Sequence, residues 1–157
     1  FEERLLAATA LLKVGDPLDE ATDVGPMIQE AEARRIEGWV NEAAGAGARI
    51  LTGHRREGPV YWPTVVSDTR PTMKIVEEEA FGPVVTLSKA TDFDDAVEQA
   101  DATRYGLQAA VFTRDIDAIL TASDRLNFGG LRFPRPVSIG FCAVSGILRD
   151  LSAQRSM

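Results

Sequence analysis

The 157 residues predict an α/β protein: a three-layer αβα sandwich with a mainly parallel sheet covered on both faces. Two observations carry this. Short β-branched runs alternate with amphipathic helical stretches along the chain, and strands separated by helices of this length imply crossover connections between parallel neighbours. No internal repeat is visible, and nothing between residues 1 and 127 has linker-like composition.

The elements follow in order. Leu5, Leu6, Ala8, Leu11 and Leu12 form an apolar stripe at helical spacing, which Gly15-Asp16-Pro17 halts because proline and the residue before it disfavour helix. The stripe reads as the last turns of a longer helix. After the turn-rich stretch from Asp19 to Pro26, Ile28, Ala31, Ile36, Trp39, Val40, Ala43 and Ala44 recur on one face of a second helix that ends at Gly45-Ala46-Gly47. Arg49 to Thr52 reads as a short strand, His54-Arg55-Arg56-Glu57 as a surface turn, and Pro63 to Val66 as the next strand. Residues 73 to 85 are expected as a loop leading into the strand Val84 to Ser88, which is β-branched and apolar enough to be central. That loop is expected near the ligand-bearing edge of the sheet. Thr91 with Asp94 three residues on makes a capping-box-like start for a helix from Asp92 to Thr103, with Phe93, Ala96, Val97 and Ala100 inward. Tyr105-Gly106-Leu107 turns the chain into a strand from Gln108 to Thr113. A final helix, Asp115 to Leu126, points Ile116, Ile119, Leu120 and Ala122 inward.

Composition bounds the function. A chain that is 45% hydrophobic and 26% charged can bury one respectable core and is expected to be a single soluble domain. A formal charge of -7 argues against nucleic acid and against an anionic membrane surface, both of which need clustered Lys and Arg, so small neutral or shielded ligands fit better. The start, Phe-Glu-Glu-Arg-Leu-Leu, lacks the basic, then apolar pattern of a secretion signal, and no apolar run is long enough to span a bilayer. One cysteine, Cys142, cannot form an internal disulfide, and a cytoplasmic home is expected.

The composition changes after Gly129-Gly130. From Leu131 to Met157 there is no Lys and no Glu, and four arginines face one acid, Asp150. Two readings of this tail stand: a closing strand with a docked tail, or a segment that has diverged, as a translated alternative frame would.

Several motifs point nowhere. Gly45-Ala46-Gly47 has Ile50 where a dinucleotide fingerprint needs its third glycine, and it ends a helix instead of opening one. Ser145 lacks the setting of an esterase elbow, and lone His54 has no second ligand at metal spacing, so no metal site is expected. Surface polarity accounts for His54.

The run Glu77-Glu78-Glu79-Ala80-Phe81-Gly82-Pro83-Val84-Val85 is different. Three adjacent carboxylates ordinarily mark a solvated loop, but these run directly into Ala-Phe-Gly-Pro. A carboxylate only accepts hydrogen bonds and can receive two hydroxyl donors at once, which suits the paired hydroxyls of a ribose. A phenylalanine two residues on supplies a flat apolar wall, the glycine lets backbone come close, and the proline stiffens the turn.

With Met73-Lys74-Ile75 before it, this run resembles the cofactor-contacting signature of aldehyde dehydrogenases. Lys13-Val14-Gly15-Asp16-Pro17-Leu18, Asp23-Val24-Gly25-Pro26-Met27-Ile28, the Ala48 to Gly53 strand, Pro63-Thr64-Val65-Val66, and Tyr105-Gly106-Leu107 with Val111 to Asp115 resemble that family's catalytic domain in the same order. The resemblance covers residues 1 to about 130, and residues 131 to 157 stand apart as the divergent tail. It implies that Glu79 matches the acid that holds the nicotinamide ribose of NAD or NADP, and that Phe81 matches the aromatic packed near the nicotinamide. Asp101 stands where the family usually has asparagine. The mechanism implied is attack of a cysteine thiolate on an aldehyde, hydride transfer to NAD or NADP, and hydrolysis of the acyl-enzyme by a base-activated water.

No catalytic residue of that scheme is assigned in this chain. Cys142 lies downstream of Glu79 in the unmatched segment and reads as an incidental apolar residue, and the nucleophile is expected to lie just before Phe1. Two functions compete: part of an NAD(P)-dependent aldehyde dehydrogenase acting on a small-molecule aldehyde, or a non-catalytic remnant serving binding or assembly. With the cofactor domain and closing strands missing, weak or no cofactor binding and self-association through exposed sheet edges are expected for the chain alone.

Overall fold

The computed structural model describes residues 1–133 and 146–148. Cys142 and most of residues 131–157, the segment read as a divergent tail, lie outside the described residues. Where one core was expected, the chain divides into two compact units, Phe1–Ser88 and Lys89–Met157, and the described residues of each gather around their own apolar cluster.

The first unit opens with α1, Glu2–Ala10, which buries none of its residues. The long helix α2, Glu30–Gly45, presents Ala33, Ile36, Val40 and Ala43 to the core, the three- and four-residue spacing of a single helical face. Ile28, read as part of that face, precedes the helix and is exposed. The helix ends as the Gly-Ala-Gly break demands. Gly47 takes the left-handed conformation (φ 102°), while Ala48 N–H donates to Ala43 O at 2.9 Å and Gly47 N–H to Ala44 O at 3.0 Å, which satisfies two carbonyls of the last turn.

Strand β1, Arg49–Thr52, pairs antiparallel with β4, Thr64–Ser67, and β4 pairs parallel with β5, Val84–Leu87, in the order β1-β4-β5. All four residues of β4 are buried, as a strand covered on both faces requires. β4 is therefore the central strand, and β5, expected there, takes an outer place in this sheet. The segment read as a surface turn is a hairpin: β2, Arg56–Glu57, pairs with β3, Val60–Tyr61, around Gly58, whose φ of 56° supplies the tight reversal. Arg56 clamps the hairpin to α2 through Glu37 at 2.7 Å and Glu30 at 3.2 Å. The expected loop over residues 73 to 85 contains one helical turn, α3, Lys74–Glu77, whose Ile75 is buried beside Met73.

The second unit holds α4, Phe93–Asp101, β6, Tyr105–Ala110, α5, Ile116–Arg125, β7, Gly130–Arg132, and β8, Gly146–Leu148. β6 pairs parallel with β7 across α5 and antiparallel with β8. Both three-stranded sheets are thus mixed, each with a parallel pair joined through a helix and one antiparallel neighbour, and the α/β class holds. The Tyr105-Gly106-Leu107 turn is the start of β6 itself. In α5, Ile116 and Leu120 are exposed and Ala122 is buried, because Ala122 sits with Val97, Val111 and Leu126 in the apolar cluster.

The cap of α4 is shifted by one residue from the expected box. Asp92 accepts from Asp95 N–H at 2.9 Å, and the Asp95 carboxylate accepts from the Thr91 amide at 2.8 Å and hydroxyl at 3.0 Å. Donation from the Gln99 side chain, then from Thr91, holds the Asp95 carboxyl below its ordinary range, and the Arg34 guanidinium, followed by Arg56, does the same for Glu30. Groups with depressed values in the fold stabilise it above their unfolded values and lose that contribution as pH falls. The urea midpoint is therefore expected to decline once the pH drops below about 4.5, the ordinary value for Glu30, and Glu30→Gln combined with Asp95→Asn is expected to flatten that decline. An unchanged acid limb in the double variant would exclude these two groups as its source.

Candidate functional site

The sequence motif becomes a short loop, residues 78 to 83, between α3 and β5. Because β4 and β5 run parallel with Thr64 opposite Val84, the loop lies at the amino ends of these strands, not at the carboxyl edge where α/β folds usually bind ligands. Its far end is tied by Thr64 N–H donating to Pro83 O at 2.9 Å, and Val84 N–H donates to Gly82 O at 2.7 Å.

Glu79 is half-buried and Phe81 is exposed. Phe81 has φ 50°, a conformation that a bulky residue without a glycine's freedom adopts only when its surroundings impose it. The residue is 74% exposed, so burial does not impose it. The restraint comes from the neighbouring residues. Arg35 on α2 donates from Nη2 to the Ala80 carbonyl at 2.9 Å, and Gly82 is pressed so closely on α2 that a Cβ there would lie 2.3 Å from Ile36 Cδ1 and 3.1 Å from Met27 Cε. The missing side chain of Gly82 makes room for Ile36 of the helix behind the loop.

Arg35 is the residue that sequence reasoning missed. Its Nε donates to Glu32 at 2.8 Å and its guanidinium lies 4.3 Å from the centroid of Trp39. The signal was present as Glu-x-x-Arg-x-x-x-Trp on one helix, since residues three and four apart share a face.

Other singled-out residues have structural roles. His54, read as surface polarity, has φ 57°, and its ring bridges Tyr61 Oη and Asn41 Oδ1, each at 2.9 Å. Asn41 Oδ1 only accepts, so Nε2 donates to it, and burial pushes the Tyr61 hydroxyl up. Asp101 accepts from the Asn127 amide and from its Nδ2, both at 3.0 Å, tying the end of α4 to the chain beyond α5. Among the described residues no group of three His, Cys, Asp or Glu side chains could hold a metal ion, and no helix is long and apolar enough to cross a membrane.

A parallel β4/β5 pair fed by a strained loop with an acidic and an aromatic residue defines an α/β protein of mixed sheets. The chain belongs to the aldehyde dehydrogenase family, whose model matches residues 1–140. An aldehyde-dehydrogenase-like protein of Sinorhizobium fredii is 46% identical over 131 residues, which is 83% of this chain and 26% of that protein. Aldehyde dehydrogenase 21 of Physcomitrella patens, solved with the reaction product succinate, superposes with a TM-score of 0.82 at 37% identity over 92% of this chain and 31% of its own. A glyceraldehyde-3-phosphate dehydrogenase of Methanocaldococcus jannaschii complexed with NADP gives a TM-score of 0.80 at 31% identity over 92% of this chain and 32% of its own. The chain spans between a quarter and a third of these relatives' length.

Proposed function

We propose that this chain supplies the nicotinamide-ribose side of the cofactor pocket in an NAD- or NADP-dependent aldehyde dehydrogenase, with Glu79 as acceptor for the ribose hydroxyls and Phe81 as the aromatic wall beside the nicotinamide. The observation that carries the reading is the Phe81 conformation: a strained backbone is maintained from both sides while the large apolar residue it carries stands out in solvent. The donor chemistry fits. A carboxylate two residues from that ring accepts two hydroxyls and repels nothing in a sugar, and the NADP complex of the archaeal relative supports this class of cofactor. When bound, NAD or NADP supplies the hydride acceptor for oxidation of an aldehyde to an acid.

Geometry alone limits the affinity. Two hydroxyl bonds to a charged acceptor contribute roughly 1.5 to 3 kcal/mol each, and association costs about 4 kcal/mol or more. These terms leave at most about 2 kcal/mol of net affinity, so NAD or NADP is expected to bind these 157 residues more weakly than the millimolar level, which takes about 4 kcal/mol. Saturation-transfer NMR should register that contact and lose it in Glu79→Gln. Micromolar binding in calorimetry that survives Glu79→Gln would sink the assignment. Cys142, the only cysteine, follows Glu79 and lies beyond the residues that the family model matches, so aldehyde oxidation by the chain alone is expected at the level of a blank.

A further inference from the structure

We infer that Arg35 is a positioning residue for the cofactor loop, setting Glu79 and Phe81 through the Ala80 carbonyl. This rests on the reading of Glu79 and Phe81 given above.

The peptide unit joining Ala80 to Phe81 is a rigid plane, so fixing its carbonyl fixes the direction from which Phe81 leaves. Arg35 holds that carbonyl with Nη2 at 2.9 Å while Glu32 takes Nε at 2.8 Å and Trp39 covers the guanidinium face at 4.3 Å. A guanidinium is planar and presents its donors in a fixed fork, so with Nε and one face fixed, the Nη2–H that reaches Ala80 is held in one direction. Ile36, the next residue of α2, meets Gly82 on the other side of Phe81. Adjacent residues of one helix thus bracket the residue with φ 50°. Without the Arg35 contact, the Ala80–Phe81 plane is free to rotate and Phe81 can relax to negative φ, which carries the ring away and turns the neighbouring Glu79 carboxylate with it. A side chain held by a carboxylate and an aromatic ring, with Nη2 on the loop carbonyl, acts on the ligand through the loop.

The test uses this chain, with nicotinamide mononucleotide as the probe and two readouts. In Arg35→Met, which keeps the stem and removes the donors, the Val84 amide bonded to Gly82 O is expected to exchange with deuterium about tenfold faster, while the Val66 amide in the buried strand β4 is unchanged. By ligand-observed NMR, Arg35→Met is expected to weaken mononucleotide binding about tenfold, Glu79→Gln similarly, and the double variant no more than the stronger single one. Arg35→Lys, with a single ammonium and no planar fork, is expected to recover part of both effects. Losses that multiply in the double variant, with Val84 exchange unchanged, would overturn the inference and make Arg35 a direct ligand. If the mononucleotide does not bind, or Glu79→Gln leaves it unaffected, the functional reading fails instead, and the positioning of the loop is decided by the exchange of Val84 alone, unchanged exchange sinking it.

Discussion

Gly53→Ala is expected to destabilise the first unit by roughly 2 to 5 kcal/mol, combining about 1 to 2 for a left-handed alanine with about 1 to 3 for overpacking. Gly53 has φ 81°, and a Cβ built on it would lie 2.1 Å from the Pro63 carbonyl oxygen and 2.7 Å from Thr64 Oγ1. The first obstacle is backbone at the start of the buried central strand, so no side chain can swing aside. Thr64 Oγ1 is also the acceptor for His54 N–H at 2.8 Å, and displacing it leaves that donor unpaired. The expected loss is a large share of a typical domain stability of about 5 to 15 kcal/mol. Urea unfolding monitored by far-UV circular dichroism measures it, and a change under about 1 kcal/mol would show that the 53–64 contact opens without cost.

Ile36→Ala is expected to cost about 2 to 5 kcal/mol, the range for removing a buried branched side chain without collapse of the site. Ile36 is fully buried among Val40, Tyr61, Val66 and Ile75, and its Cδ1 fills the space that Gly82 leaves open. The same geometry predicts coupling. Gly82→Ala in the parent drives a methyl group into Ile36 Cδ1, whereas in Ile36→Ala the space is vacant, so the double variant is expected to be more stable than the sum of the singles by about 0.5 to 3 kcal/mol. Strict additivity in a urea double-mutant cycle would mean that loop and helix do not share this contact. The cycle probes the site as well as the core, since Ile36 is half of the bracket around Phe81.

Most of the alternation of helix and strand was legible because it depends on local pattern. The period of Ala33, Ile36, Val40 and Ala43 identifies α2, the Gly45-Ala46-Gly47 run stops it, and β1 spans the Arg49 to Thr52 range expected. The misread elements share a cause. Arg56–Glu57 carries no strand pattern and forms β2 only because Gly58 reverses the chain onto Val60–Tyr61 and Glu37 and Glu30 hold the arginine. The inward faces assigned to Ile116 and Leu120 were a matter of period alone, whereas the cluster around Val97 and Ala122 determines which face of α5 packs. Likewise β5 is β-branched enough for a centre, but centrality is a property of neighbours, and β4 has two.

By itself the sequence determined the class of fold, the family, and the two residues that carry the site hypothesis, because each rests on residue types at fixed spacing in one stretch of chain. Only the tertiary structure decided how those two residues are held. Arg35 and Ala80 are 45 residues apart, Ile36 and Gly82 about the same, and no periodicity or motif encodes a contact at that separation. The strain at Phe81 is of the same kind: phenylalanine favours negative φ on its own, and packing of α2 behind the loop, which a one-dimensional reading cannot see, holds it where it stands.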